Sequence, residues 1–186
     1  MRIAVVFRIY FLFLICGVQQ LNAHEYELAY PHTHLEVIPF VLYQGTIRYL
    51  HPENQQSLVI SCVASMHPSE QVEVYMKKLG IDAKIIHSTS WRFDQGVLTL
   101  TYIVILDALS LHQDHRLRIS KIESASIVHG TATKAPKNIE IKSVIYHALT
   151  HLSWLSTTDK TIASQLSKEW MDQLKRYAPE PFLQLP

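Results

Sequence analysis

The stretch Val97–Leu106, VLTLTYIVIL, decides how this chain folds. Apart from three leucines, every residue in it is β-branched or aromatic, a composition that suits a strand. Just before it, Asp94-Gln95-Gly96 has the chemistry of a hairpin turn. Ile85–Ser88 reads as the partner strand, joined to it through a connection over Ser90–Gly96. Upstream, Ser57–Ala64 is a continuous apolar run, as expected of a strand covered on both faces. Leu35–Tyr43 is a further strand, and its Pro39 predicts an edge position or a bulge. Gly45 turns the chain into Thr46–Leu50, and Leu117–Ile122 is a candidate strand beyond a polar segment.

Helices surround these strands. Pro68-Ser69-Glu70 opens one, with Pro68 or Ser69 as the start signal. Val72, Tyr75, Met76 and Leu79 form its stripe, and Gly80 ends it. After the loop Lys134–Lys137, Asn138 is a suitable N-cap. Ile141, Val144, Ile145, Ala148, Leu149, Leu152 and Leu155 then recur at helical spacing, one buried stripe. Thr157-Thr158-Asp159 breaks and recaps the chain, and Ile162, Leu166, Trp170, Leu174 and Tyr177 continue the pattern until Pro179-Glu180-Pro181. The fold class is α+β: a mixed or antiparallel sheet packed against helices, with a helical C-terminal part.

Composition narrows the function. The 186 residues are 48% hydrophobic and 18% charged, which excludes a disordered chain and provides for a real core. Residues 3–18 are almost wholly apolar behind Arg2, and Gln19-Gln20 ends the run before Leu21-Asn22-Ala23. The uninterrupted stretch Ile9–Val18 has the length of a signal-peptide core and is short for a span. We therefore expect residues 1–23 to be a signal peptide or N-terminal anchor, and 24–186 one α+β domain. That predicts a secreted or extracytoplasmic protein, which touches a membrane only through this segment if it is not cleaved. An over-called start codon would make it cytoplasmic. Cleavage would leave fifteen basic and sixteen acidic side chains, no electrostatic footprint for nucleic acid. It would also leave Cys62 as the sole cysteine, unable to form an intramolecular disulfide.

Histidine is the one compositional oddity, with eleven residues, all after Ala23. His32, His34 and Glu36 alternate, so a strand would project them from one face. Imidazole and carboxylate suit zinc or iron. His147 and His151 are four apart on a predicted helix, the spacing of the zinc-peptidase pair. Ala148 stands where that enzyme class needs its general-base glutamate, so the peptidase reading fails on its chemistry. These five residues are the candidate metal ligands of a metal-dependent enzyme. The candidate ligand-binding residues are His87, Trp91 and Arg92, where a cation beside aromatics could grip a planar or anionic ligand. No glycine-rich phosphate loop, Cys-x-x-Cys pair or nucleophile elbow occurs.

The order of elements over residues 41–155 resembles the Nudix fold. Val72-Glu73-Val74-Tyr75-Met76-Lys77-Lys78-Leu79-Gly80-Ile81 is similar to the end of a Nudix helix. The resemblance implies a glycine pair before that helix and glutamates on it to hold magnesium. Here Ser65-Met66-His67-Pro68 replaces the glycines, and Lys77-Lys78 stand in place of the paired glutamates. If the fold is shared, the hydrolase chemistry is not. The sequence thus points to a non-catalytic, exported α+β domain that binds a small molecule or a protein, with no cofactor. The alternatives are a metal-dependent enzyme using the histidines with zinc or iron, and a degenerate, non-hydrolytic Nudix-like protein of the cytosol.

Overall fold

The structure, a computed structural model, describes residues 32–106, 117–123 and 139–180. The leader, Asn138, His112, His115 and His129 lie outside the described residues. The account below is of the unit Thr33–Pro186.

Among the described residues, six strands form one mixed sheet: β1 (Thr33–Tyr43), β2 (Thr46–Pro52), β3 (Leu58–Ser61), β4 (Ala83–Asp94), β5 (Val97–Leu106) and β6 (Leu117–Lys121). Their spatial order is β4-β5-β1-β2-β6, with β3 also paired to β1. Two hairpins are its local units. Gln44-Gly45 closes β1–β2 and Gln95-Gly96 closes β4–β5, all four residues at positive φ. Two-residue turns of that kind match the twist of the strands they join, and glycine at the second position adopts the angle without strain. The hairpins meet along a parallel β1–β5 seam from Thr33↔Leu98 to Val41↔Leu106.

This seam is buried on both faces, which is why its strands read as continuous apolar runs. On one face, Ile38, Phe40, Ile103, Ile105 and Ile85 pack under α2 (Ile141–Thr158), α3 (Lys160–Gln165) and α4 (Lys168–Leu174). On the other, Leu35, Val37, Val41, Val104 and Leu106 pack under Val72 and Met76 of α1 (Pro68–Lys78). The fold is α+β with a helical C-terminal part, as the sequence predicts.

Several local expectations are corrected. Pro39 lies in the central strand, not at an edge, and its backbone pairs in the seam opposite Val104. The opposite side of β1 pairs with β3 over His34–Val37 and with β2 over Phe40–Tyr43. Pro39 falls in the gap between these two registers, where a missing N–H breaks no antiparallel ladder. β3 has only four residues and one covered face: Leu58 is buried, whereas Val59 is 50% exposed. The segment Ser90–Asp94, expected as a connection, continues strand β4. The N-cap of α1 is His67, whose Nδ1 accepts from Ser69 N at 3.3 Å, with Pro68 in the first turn. That of α2 is Glu140. Asp159 recaps the chain as expected, its Oδ1 accepting from the backbone N–H groups of Thr161 and Ile162.

Candidate functional site

Strand β4 carries all three candidate ligand-binding residues, and a bulge divides them. Its register against β5 shifts between Ser88 and Ser90. An inserted residue inverts the inside-outside alternation that follows. His87 therefore faces the helical layer of α2, and so, five residues on, does Arg92. Trp91, opposite Leu100, and Phe93, opposite Leu98, face the α1 side. Each of these two aromatics is 56% exposed. The structure thus brings Trp91 together with Phe93 on one face, and places Arg92 and His87 at separate points of the other.

Arg92 is committed to Glu36. Its Nη1 and Nη2 donate to the two carboxylate oxygens at 2.7 and 3.0 Å, a bidentate pair. Glu36 is 5% exposed, and its remaining capacity is met by Thr101 Oγ1 at 3.1 Å and Ser57 Oγ at 3.2 Å. A buried carboxylate needs such a set, because its desolvation is offset only by a partner and full hydrogen bonding. Its oxygens are thus engaged by protein donors, which bears directly on its candidacy as a metal ligand. The sequence could not reveal this pair, since the partners are far apart along the chain.

The five candidate metal ligands divide into two groups. His34 pairs in register with Thr99, and four residues further along β1 Ile38 pairs with Ile103, which lies opposite His87. That separation is roughly 13 Å at the rise of a strand. His147 and His151 lie at the His87 level instead. His151, on α2, is 3% exposed. Its ring stacks 5.7 Å from His87, 5.6 Å from Trp154 and 6.5 Å from His147, centroid to centroid. Burial, with the two neighbouring imidazoles, pushes the His151 pKa down to about 4. Burial also lowers that of His87, with Asp159 acting in the opposite sense. Among the described residues, no group of three or more His, Cys, Asp or Glu side chains has an arrangement that would hold a metal ion. His87 is the member of the cluster that the sequence placed in another site. Only a tertiary contact joins it to the helix pair.

α1 carries Lys77 and Lys78 where the resemblance implies paired glutamates, and its two carboxylates, Glu70 and Glu73, lie nearer its start. Lys77 is exposed and ion-paired with Glu73 at 2.6 Å, and Lys78 is exposed beside it. Gln71, on the buried side, ties down the loop before the helix. Its amide accepts from Val63 N at 2.9 Å and donates to the carbonyls of Val63 and Met66 at 2.8 and 2.7 Å.

No protein-family profile and no curated protein matches the chain. Among solved structures it is similar to NrtR of Shewanella oneidensis, with a TM-score of 0.53 over 82% of this chain and 80% of that one. The two sequences are 9% identical. The likeness is one of fold. NrtR is a Nudix-family regulator, so the match is compatible with the Nudix-like order of elements.

Proposed function

We propose that this chain is a non-catalytic binding domain on a Nudix-like scaffold, and that it engages a protein partner through the end of the β4–β5 hairpin. With residues 1–23 as a leader, it does so outside the cytoplasm. The observation that carries the reading is the pair Trp91 and Phe93, side by side on one face of β4 and each more than half exposed. Large aromatics left in water at an outer strand are the type of residue around which protein interfaces concentrate their affinity. A small anionic ligand is the weaker fit, because Arg92 already holds Glu36 in a bidentate pair. The lysines of α1 support the absence of phosphate hydrolysis, since an ammonium cannot ligate magnesium.

A photo-crosslinking residue in place of Phe93, in the cell that makes the protein, tests the reading. A discrete adduct that disappears on adding Trp91→Ser is expected. No adduct, or one that Trp91→Ser leaves unchanged, would overturn it. Release of phosphate or nucleoside monophosphate from nucleoside-diphosphate compounds with magnesium would overturn the non-catalytic part.

A further inference from the structure

At the end of the strand order away from β4, where β6 pairs with β2, Ser120 and His51 form a hydrogen-bonded dyad. Ser120 Oγ lies 2.7 Å from His51 Nε2, although the two residues are 69 positions apart in sequence. The other ring nitrogen, Nδ1, lies 2.8 Å from the carbonyl oxygens of both Pro52 and Gln55. The turn that follows β2 brings these two carbonyls together, with Gln55 N donating to Pro52 O at 3.3 Å. Carbonyl oxygens only accept. The single N–H of the neutral ring is therefore on Nδ1, and the lone pair of Nε2 faces the Ser120 hydroxyl. Tyr49, which pairs opposite Ser120, stacks on the His51 ring at 5.2 Å, centroid to centroid, and fixes its plane. We infer that Ser120 is an acyl acceptor activated by His51, and that it takes its acyl group from a carboxylic ester or thioester. The inference goes beyond the binding role proposed for the hairpin end. Accepting one acyl group modifies the chain and requires no turnover.

A serine–histidine bond alone would only staple β6 to β2. The orientation of the ring adds chemistry, because a hydroxyl becomes a nucleophile when a positioned base can take its proton and a third group holds that base. In the step, the Ser120 O–H proton passes to His51 Nε2 as Oγ bonds to the acyl carbon. The bond to the alkoxide or thiolate then breaks, and the leaving group departs with the proton from Nε2. The products are an acyl-serine and an alcohol or thiol. While the ring is charged, its Nδ1–H stays on the two carbonyls, a weaker support than the carboxylate of a full triad. Arg118 pairs opposite His51 and lies two residues before Ser120, hence on the same face. Its guanidinium meets Glu53, and a cation at this edge favours the negative charge that develops on the acyl oxygen. Ser120 and His51 are both half-buried and so are not sealed in the core.

An alkyl fluorophosphonate, whose phosphorus takes up a base-activated serine with loss of fluoride, tests the dyad on the full chain. Peptide mapping should find the adduct forming on Ser120 about a hundredfold faster than on Ser164, the usual scale of help from a positioned base. Ser164 is an exposed serine whose hydroxyl donates to Thr161 O, and it serves as the reference within the same sample. His51→Gln should slow the labelling of Ser120 by about tenfold or more. With p-nitrophenyl acetate, the wild type should release its first equivalent of p-nitrophenolate about tenfold faster than Ser120→Ala, in which the exposed lysines and histidines supply the background. Labelling of Ser120 no faster than of Ser164 would overturn the inference, whether or not the His51 variant folds. So would equal labelling of Ser120 in a folded His51→Gln protein. Equal release from the wild type and Ser120→Ala would overturn the acyl acceptance.

Discussion

Arg92 reaches across from β4 to grip both carboxylate oxygens of Glu36 on β1, passing over β5, the strand between them. Thr101, on that intervening strand, completes the bridge through its hydroxyl. The pair is therefore a clamp on three adjacent strands as well as a charge neutraliser.

Arg92→Ala should destabilise the protein by about 3–5 kcal/mol, because it strands a buried carboxylate. Removing both partners, as Glu36→Leu with Arg92→Leu, should cost clearly less than the sum of the single changes. Chemical denaturation of the four proteins of this cycle decides it. Additive losses would mean that the two side chains act independently.

Trp170 is 4% exposed in the helical layer, whereas Trp91 is 56% exposed on β4. Trp170→Ala should cost about 3–5 kcal/mol, the usual consequence of emptying a large aromatic site. Trp91→Ser should change stability by less than about 1 kcal/mol. Denaturant midpoints would expose a reversed order.

Gln71 satisfies three backbone groups of the loop that precedes α1. Gln71→Leu preserves bulk but leaves those groups without their partner, at a cost of about 1–3 kcal/mol. Proteolysis should find the segment from Val63 to Met66 more readily in the variant. Unchanged cleavage and an unchanged midpoint would show that solvent replaces the amide without penalty.

Stability should fall on acidification. Above pH 6.5, His151 is neutral in both the folded and the unfolded chain and contributes no pH dependence. Below that, the unfolded chain takes up a proton that the folded protein refuses until about pH 4. Stability present above pH 6.5 is therefore lost progressively toward pH 4. By pH 5 the loss from this residue is about 2 kcal/mol. The lowered pKa of His87 acts in the same direction. Unfolding at fixed ionic strength, compared between wild type and His151→Gln, isolates the contribution. Greater stability at pH 5 would reverse the sign and refute it.

Much of this architecture was legible where local chemistry sets it. The run Val97–Leu106, the Gln-Gly turns, the stripe of α2 and the Asp159 cap are each read from neighbouring residues. The misreadings share a cause. Pro39 looked like an edge signal because the sequence does not say that two strands share one side of β1 end to end. Trp91 and Arg92 looked like one site because Ser90–Asp94 reads as a connection, whereas in a strand consecutive side chains point to opposite faces. The bulge after Ser88, which gives the face of His87 to Arg92 and not to Trp91, has no signature in the residues themselves. The Glu36–Arg92 and His87–His151 contacts join distant elements, so each histidine or carboxylate met in the sequence had only its neighbours to argue from.

The two tight turns and the single parallel seam also bear on the order in which the chain folds. Each hairpin closes a loop of two residues, whereas the β1–β5 seam must close roughly sixty-five residues of chain. Loop entropy therefore favours β1–β2 and β4–β5 as early, independent units, and their docking along the seam as the rate-limiting step. In a mutational analysis of folding rates, changes beside Gly45 and Gly96 should slow folding, and truncations at Ile38 and Ile103, which weaken the docking step itself, should slow it as well. Until the seam forms, both hairpins present the apolar edges that will later become the most deeply buried line in the molecule. Crowded, slow conditions during synthesis are then the time of greatest risk, with edge-to-edge pairing between chains competing against the correct closure within one.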